Sequence, residues 1–289
     1  MGVVDLHMHS VHSDGSMEPI ELIKMGKEKG LKIMALTDHD NIEGSKEFIK
    51  YNDQGIYLYS GVELTAKASK GRMHILGYNI DLDNKKLNDV LMKMKEASIY
   101  NFLLYVELLR KDYNLNIPQE KIEQIIKSKG NIGRPHLAKV LIEEKYCQNV
   151  DEAFDRFLSP VYEKTRKIKK GLTEEECVTL IKEAGGIVSL AHPSSLKMDN
   201  DELEKEIIYL KSLGLDSIEV IHINNSKENR LFYHYLAQKY NLLESGGSDF
   251  HGIEVKPDVL MGTGRNGNVD IGVKTLSLTR KIKSRYMER

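Results

Sequence analysis

The sequence of 289 residues contains two cysteines and no tryptophan. Cys147 and Cys177 are far apart and form no Cys-x-x-Cys motif, which excludes a disulfide framework, a thiolate zinc site and an iron–sulfur cluster of the usual ligation. No run of about 18 apolar residues occurs, and the N-terminus has neither a basic segment nor a long apolar stretch. We therefore expect no membrane anchor, no secretory signal and a cytoplasmic location.

The chain also lacks an excess of charge of either sign. Its 42 Lys and Arg residues face 43 Asp and Glu residues, which predicts no bulk attraction to nucleic acids or anionic membranes. The two basic segments 163–170 and 280–289 are expected to be solvated faces. Ten histidines against two cysteines indicate that any metal site uses imidazole and carboxylate ligands.

Short apolar runs alternate with amphipathic segments, which predicts an α/β fold with a mostly parallel sheet. Thr173 and Glu176 have the spacing of a capping box at the start of one helix. The predicted strands are Val3–His9, Lys32–Thr37, Ile56–Leu64, His74–Asn79, Gly186–Ala191, Ser217–His222 and Leu242–Gly247. The predicted helices between them are Glu18–Lys29, Ser45–Asn52, Thr173–Ala184, Asp201–Leu213 and Lys227–Tyr240.

The strand pattern stops between residues 85 and 170, where the apolar spacing is helical. Four consecutive helices are predicted there: Lys85–Lys111, Gln119–Lys129, Pro135–Lys145 and Val150–Leu158. We therefore expect a catalytic α/β domain formed by residues 1–84 and 171–289, interrupted by an inserted all-α subdomain at residues 85–170.

Histidines and carboxylates cluster beside the predicted strands, mostly just past their carboxyl ends. In a closed parallel barrel these ends converge on one rim, so residues distant in sequence become neighbours. Nine such ligands exceed what one tetrahedral or octahedral ion uses, which indicates a site for two or three divalent ions. The candidate metal ligands are His7, His9, Asp14, His39, Glu63, His74, His192, Asp249 and His251.

These residues also carry a family resemblance. Six motifs in order resemble those of the polymerase and histidinol phosphatase (PHP) superfamily: His7-x-His9, Thr37-Asp38-His39, Gly61-Val62-Glu63, His74, Ala191-His192-Pro193 and Gly247-Ser248-Asp249-x-His251. The resemblance covers nearly the whole chain. Together with Gly133-Arg134-Pro135-His136, the inserted helices resemble the bacterial members that act on nucleoside monophosphates, 3',5'-bisphosphates or short 5'-phosphorylated RNA.

The resemblance implies a distorted seven-stranded, TIM-like (β/α) barrel with a trinuclear metal site. The implied ligands of the first ion are His7, His9, Glu63 and Asp249; of the second, Glu63, His74 and His192; of the third, more exposed ion, Asp14, His39 and His251. Glu63, Asp249 and His192 are the expected catalytic residues. His12 either competes with Asp14 as a ligand or is an exposed loop residue.

Three residues are candidates for substrate binding. Arg134 presents a planar fork to phosphate oxygens at a predicted helix start, and His136 could donate to the same phosphate. The alternative is a plain helix start with a surface arginine. His222 ends the sixth predicted strand, where it is either a contact on the rim or an ordinary buried histidine.

Two tyrosines of the first inserted helix leave a further choice open. Tyr100 or Tyr105 either stacks on a base or packs in the core.

The sequence therefore predicts a metal-dependent phosphomonoesterase acting on a small phosphorylated substrate, a nucleotide of the AMP or 3',5'-bisphosphate type. A hydroxide held between two ions about 3.5 to 4 Å apart would attack the phosphorus. Zn, Mn and Fe suit these ligands equally, with Mg as a further candidate. The alternatives are a 5'-3' exonuclease on short 5'-phosphorylated RNA or DNA, a histidinol phosphatase and a noncatalytic polymerase-accessory module. No protein partner can be inferred.

Overall fold

The computed structural model describes residues 3–51, 55–127, 130, 132–165, 171–272 and 277–279. The chain forms two compact units: a barrel unit, Met1–Asn88 with Leu172–Arg289, and a helical unit, Asp89–Gly171. Residues 166–170 and 280–289, on which the predicted basic faces depend, lie outside the described residues. No helix of the described ranges is long and apolar enough to cross a membrane.

Seven strands of the barrel unit form one sheet in chain order. They are β1 Val4–Asp5, β2 Ile33–Leu36, β3 Tyr57–Ala66, β4 Met73–Tyr78, β5 Ile187–Leu190, β6 Ser217–Ile221 and β7 Leu243–Gly246. Neighbouring strands are parallel except that β4 runs antiparallel to both β3 and β5. A bridge between Met8 and Phe250 and a hydrogen bond from Leu6 N–H to the Gly246 carbonyl join the first and last strands. The predicted α/β barrel, nearly closed and distorted by β4, is confirmed.

Ten α-helices are described. They are α1 Pro19–Glu28, α2 Glu43–Lys50, α3 Lys85–Tyr113, α4 Gln119–Lys127, α5 Arg134–Glu143, α6 Val150–Ala153, α7 Ser159–Thr165, α8 Glu174–Glu183, α9 Asn200–Leu213 and α10 Lys227–Lys239. A π-helical turn, Phe154–Leu158, joins α6 to α7. The predicted capping box is confirmed at α8, where the side chains of Thr173 and Glu176 each accept a backbone N–H of the other residue.

Each unit has its own apolar core. Inward-facing residues such as Val4, Ile33 and Leu76 fill the barrel. The core of the helical unit consists of apolar side chains from α3 to α7 and contains Tyr105, which is buried. Tyr105 is therefore not available to stack on a base, and it packs in the core, as the second alternative predicted. Tyr100 is 62% exposed.

Two strand ends differ from those predicted by two residues or more. β1 ends at Asp5, so His7 and His9 lie beyond the strand, in extended chain that Met8 ties to Phe250 and to the N–H of Thr37. β3 continues to Ala66, so Glu63 lies within the strand. The reason is the antiparallel pairing with β4, which extends the ladder of β3 beyond the point where β2 ends.

Candidate metal centre

The structure brings all nine candidate ligands into one continuous cluster in the barrel unit. Glu63 lies at its centre, with its side chain buried and its two carboxylate oxygens facing different imidazoles. Oε1 lies 2.8 Å from His74 Nδ1 and 2.9 Å from His192 Nε2; Oε2 lies 3.0 Å from His7 Nε2, 3.2 Å from His9 Nε2 and 3.3 Å from His39 Nδ1. One carboxylate thus separates two groups of imidazoles, as a carboxylate that bridges two ions would.

The reversed direction of β4 explains why His74 belongs to this cluster although it lies near the start of its strand. In the β3–β4 ladder His74 is opposite Thr65, and in the β4–β5 ladder its neighbour Ile75 is opposite Leu190. The beginning of β4 therefore lies beside the ends of β3 and β5. As a result, His74 Nδ1 is 3.3 Å from His192 Nε2.

Asp249 connects the imidazoles that face Glu63 Oε2 to the outer part of the cluster. Its Oδ1 lies 3.3 Å from His9 Nε2, 3.6 Å from His7 Nε2 and 3.5 Å from His251 Nδ1. His251 Nε2 lies in turn 3.3 Å from Asp14 Oδ1, and the Asp14 side chain is 50% exposed. Asp14 therefore lies at the accessible side of the cluster, where the resemblance implies the third ion.

A lysine that the sequence did not single out also reaches the cluster. Lys256 Nζ donates to Asp249 Oδ2 over 2.8 Å. This places a positive charge of the barrel unit next to a candidate ligand.

Three further carboxylates, outside the nine candidate ligands, hold the loops of the cluster. Asp5 accepts hydrogen bonds from the N–H groups of Ser248 and Gly262 and from the Ser248 hydroxyl. Asp38 accepts from Ser10 N–H and from the hydroxyls of Ser10 and Ser13, each over 2.7 Å. These bonds fix the segments that carry Asp249 and His9.

The third is Glu219 in β6, which is buried and touches two candidate ligands. Its Oε1 lies 2.9 Å from His7 Nδ1, and its Oε2 accepts the backbone N–H of His192 over 2.6 Å. The only sequence signal for this role is a glutamate at the centre of a predicted apolar strand.

Burial and the mutual charges of the cluster shift several pKa values. Burial by itself raises the pKa of Glu63, but the imidazoles of His39, His7 and His74 outweigh it and hold that pKa well below its ordinary value. Burial lowers the pKa of His9, yet the carboxylates of Asp249, Glu63 and Asp14 raise it to about 10. At neutral pH the cluster therefore combines ionised carboxylates with a protonated His9.

The donor set fits divalent metal ions. Nitrogen and oxygen atoms of several subsets lie within 4.8 Å of one another: His7 with His9 and Glu63; His39 with Glu63 and His74; His9 with Asp14, His39 and His251; and His7 with His222 and Asp249. Within the described part of the chain, the buried His9 Nε2 makes no well-aligned hydrogen bond and lies 3.2 Å from Glu63 Oε2 and 3.3 Å from Asp249 Oδ1. Such a nitrogen among carboxylates is a suitable ligand for a borderline cation.

His222 is fully buried beside the cluster. Its Nδ1 accepts the N–H of Asn224, so the neutral ring carries its proton on Nε2, which lies 3.6 Å from Asp249 Oδ2. This tautomer favours a donor near Asp249 over a metal ligand.

His12 is also buried, and its Nε2 lies 3.2 Å from Glu47 Oε2. The interpretation of His12 as an exposed loop residue is therefore wrong, and its partner is Glu47 rather than the group of Asp14.

Arg134 and His136 begin α5 in the helical unit. The Arg134 guanidinium carbon lies 4.2 Å from the centre of the Tyr162 ring and 5.4 Å from that of Phe154. His136 Nδ1 accepts the N–H of Gly133, which places the proton of the neutral ring on Nε2. Both residues thus have a defined orientation within their unit.

The chain is similar to several known proteins. It is 31% identical to a 5'-3' exoribonuclease of Haemophilus influenzae over 86% of this chain and 89% of that protein. It is 26% identical to a 3',5'-nucleoside bisphosphate phosphatase of Chromobacterium violaceum over 87% of this chain and 88% of that protein. A crystal structure from Bifidobacterium adolescentis, assigned as a metal-dependent phosphoesterase, superposes with a TM-score of 0.77 at 27% identity, covering 99% of this chain and 98% of the other. The PHP domain family matches residues 5–168. This match and the similarities above show that the chain belongs to the PHP domain family.

Proposed function

We propose that this protein hydrolyses the phosphomonoester of a small nucleotide, of the AMP or 3',5'-bisphosphate type. It is a metal-dependent phosphoesterase, a hydrolase acting on phosphoric ester bonds. The observation that carries the proposal is the position of Glu63, whose Oε1 faces His74 and His192 while Oε2 faces three other imidazoles. A carboxylate shared in this way suits a pair of ions that act on one phosphate.

The proposed cofactors are two or three divalent ions, with Zn, Mn or Fe favoured by the mixture of imidazole and carboxylate ligands. When bound, such ions supply a nucleophilic water at neutral pH and neutralise charge on the phosphoryl oxygens. Glu63 would hold two of these ions, and His192 and Asp249 would hold one each. The ammonium of Lys256, which now pairs with Asp249, adds fixed positive charge where a phosphate would bind.

The helical unit supplies the proposed specificity. Arg134 stacks on Tyr162, and stacking occupies the face of a guanidinium while its N–H groups point outward in the plane, where they can grip a phosphate. His136 would donate from Nε2 to the same anion, whereas the fully buried His222 would orient Asp249 rather than touch the substrate.

Similarity to the bisphosphate phosphatase of C. violaceum supports this substrate class. A second candidate is 5'-3' exonuclease action on short 5'-phosphorylated RNA, which the higher identity to the H. influenzae exoribonuclease favours. The proposed site of action is the cytoplasm, since both cysteines are free and buried, as is usual in a reducing compartment.

The test is a release assay on the full-length protein with Mn, Mg or Zn, run beside elemental analysis of the protein as purified. The substrates are AMP, a 3',5'-bisphosphate and a 5'-phosphorylated oligoribonucleotide. We expect inorganic phosphate from the first two. Mononucleotides from the oligomer without any free phosphate would establish the exonuclease instead, and no turnover with any metal would refute both.

A further inference from the structure

Glu219 uses both of its carboxylate oxygens on the metal cluster, although it belongs to none of the groups of candidate ligands. Its side chain projects from β6, is completely buried and lies 2.9 Å from His7 Nδ1 and 2.6 Å from the backbone nitrogen of His192. His7 and His192 face opposite oxygens of Glu63. A single carboxylate outside the ligand set therefore touches both sides of the centre.

The contact with His7 determines which ring nitrogen is available to a metal ion. An ionised carboxylate can only accept, so His7 Nδ1 must carry a proton and donate it to Glu219. In the neutral ring the lone pair is then on Nε2, which points to Glu63 Oε2 and Asp249 Oδ1. A carboxylate behind a ligating imidazole fixes both its tautomer and its orientation.

The contact with His192 acts on the backbone. His192 has φ of +26°, in the left-handed region that residues other than glycine rarely adopt. Such a conformation is costly and persists only where the surroundings impose it. The hydrogen bond from its N–H to Glu219 Oε2 is one such restraint, and in this backbone conformation the imidazole Nε2 lies 2.9 Å from Glu63 Oε1.

Glu219 is itself held firmly. The side-chain amide of Asn225 donates to the carbonyls of Glu219 and Val220, and the β6–β7 register shifts between Glu219 and Ile221. This irregularity fixes the course of the backbone at the point where the carboxylate leaves the strand.

We propose that Glu219 is a positioning residue that fixes the Nε2 ligand of His7 and the backbone of His192 together, and so couples the two ion positions on either side of Glu63. The inference rests on the proposed function only in requiring that the cluster binds divalent ions. Its consequence is that losing Glu219 weakens both positions and not one.

The substitution Glu219→Gln tests this with almost no change in volume. A glutamine replaces two anionic oxygens with one neutral accepting oxygen and one donating nitrogen. It therefore loses one of the two bonds, to His7 Nδ1–H or to His192 N–H, and the bond that remains is no longer charge-assisted. The control is Ser189→Ala, which removes a buried hydrogen bond between two serines, Ser189 in β5 and Ser245 in β7, on either side of β6.

Zinc is titrated into the metal-free full-length proteins, and the number and affinity of bound ions are measured. Loss of an outer carboxylate behind a ligating histidine typically weakens metal affinity by about 10- to 100-fold. We expect such a loss at two ion positions in Glu219→Gln and less than about a twofold change in Ser189→Ala. Unchanged affinity in Glu219→Gln, or a loss confined to one position, would overturn the inference.

A second measurement requires no folded Glu219 variant. In the zinc-loaded wild-type protein, nitrogen NMR of the histidine rings should show His7 bound to zinc through Nε2, with a slowly exchanging proton on Nδ1. A His7 ring that binds through Nδ1 would overturn the inference. If the wild-type protein binds no zinc, manganese or iron, the proposed function fails; if it binds them and Glu219→Gln does so equally well, only the role of Glu219 fails.

Discussion

Gly247 and His7 approach each other so closely that a β-carbon at residue 247 would lie 2.4 Å from both the backbone nitrogen and the β-carbon of His7. The same β-carbon would lie 2.9 Å from Asp5 Oδ1. The segment that carries Asp249 and His251 can therefore leave β7 beside the segment that carries His7 and His9 only because residue 247 has no side chain. Contact between these two segments is what brings Asp249 Oδ1 within 3.3 Å of His9 Nε2.

We predict that Gly247→Ala lowers the free energy of unfolding by about 1–3 kcal/mol, the usual cost of overpacking a dense interior. Because His7 must move, zinc affinity should fall as well. Urea denaturation and zinc titration measure the two effects. Gly133→Ala is the matched control for stability, since among the described residues its β-carbon would meet only Pro135 Cδ, at 3.5 Å. Equal stability of the two variants would contradict the prediction.

Glu63→Gln should remove most of the bound metal and reduce phosphate release by at least about 100-fold, because substitutions merely behind a ligand already cost about 10- to 100-fold. The glutamine amide has one neutral oxygen and one nitrogen, so it cannot replace the two anionic oxygens that face five imidazoles. Elemental analysis and the release assay measure these losses. Glu47→Gln alters a carboxylate whose partner is His12, outside the nine candidate ligands, and should retain both metal and activity. Full metal content in Glu63→Gln would exclude Glu63 as the shared ligand.

The sequence is sufficient to predict the order of strands and helices because the apolar runs and capping residues are local signals, whereas the barrel is what the family resemblance implies. It also singles out the nine polar residues, since each adjoins an apolar run. It does not predict the direction of β4, because alternation of apolar residues is the same in parallel and antiparallel strands. The position of His74 beside His192 follows from that direction, so the sequence could not predict this contact.

The residues that support the cluster are harder to recognise. Asp5, Asp38 and Glu219 are buried carboxylates within or beside apolar strands, and a single sequence does not reveal what such a group accepts. Their roles depend on backbone N–H groups of loops distant in sequence, such as Ser248 and His192. Contacts of this kind are set by the closure of the barrel and leave no local pattern.

Metal binding should release protons near neutral pH and tighten as the pH rises. The pKa of His9 is raised from 6.5 in an unfolded chain to about 10, since carboxylates outweigh the effect of burial. In the metal-free protein this protonated ring contributes stability that is full below pH 6.5 and is lost as the pH rises through about 10. A metal ion must displace the same proton to use His9 as a ligand.

Calorimetric titration of zinc in two buffers of different ionisation enthalpy measures the proton release. We expect at least about one proton per protein at neutral pH, and tighter binding at about pH 9 than at neutral pH. Identical heats in the two buffers, or an affinity that does not change with pH, would show that His9 is not protonated before the metal binds.

Arg134→Ala should raise the KM for a nucleotide substrate by about 10- to 100-fold, because a charge-assisted bond from a guanidinium to phosphate contributes about 1.5–3 kcal/mol. Zinc content should stay unchanged, since Arg134 belongs to the helical unit and all nine candidate ligands to the barrel unit. Lys139→Ala is the matched control, because it removes an exposed positive charge from the same helix, α5. Steady-state kinetics with a 3',5'-bisphosphate measures both variants. If Arg134→Ala and Lys139→Ala raise KM equally, the effect is one of general charge and the phosphate contact of Arg134 is refuted.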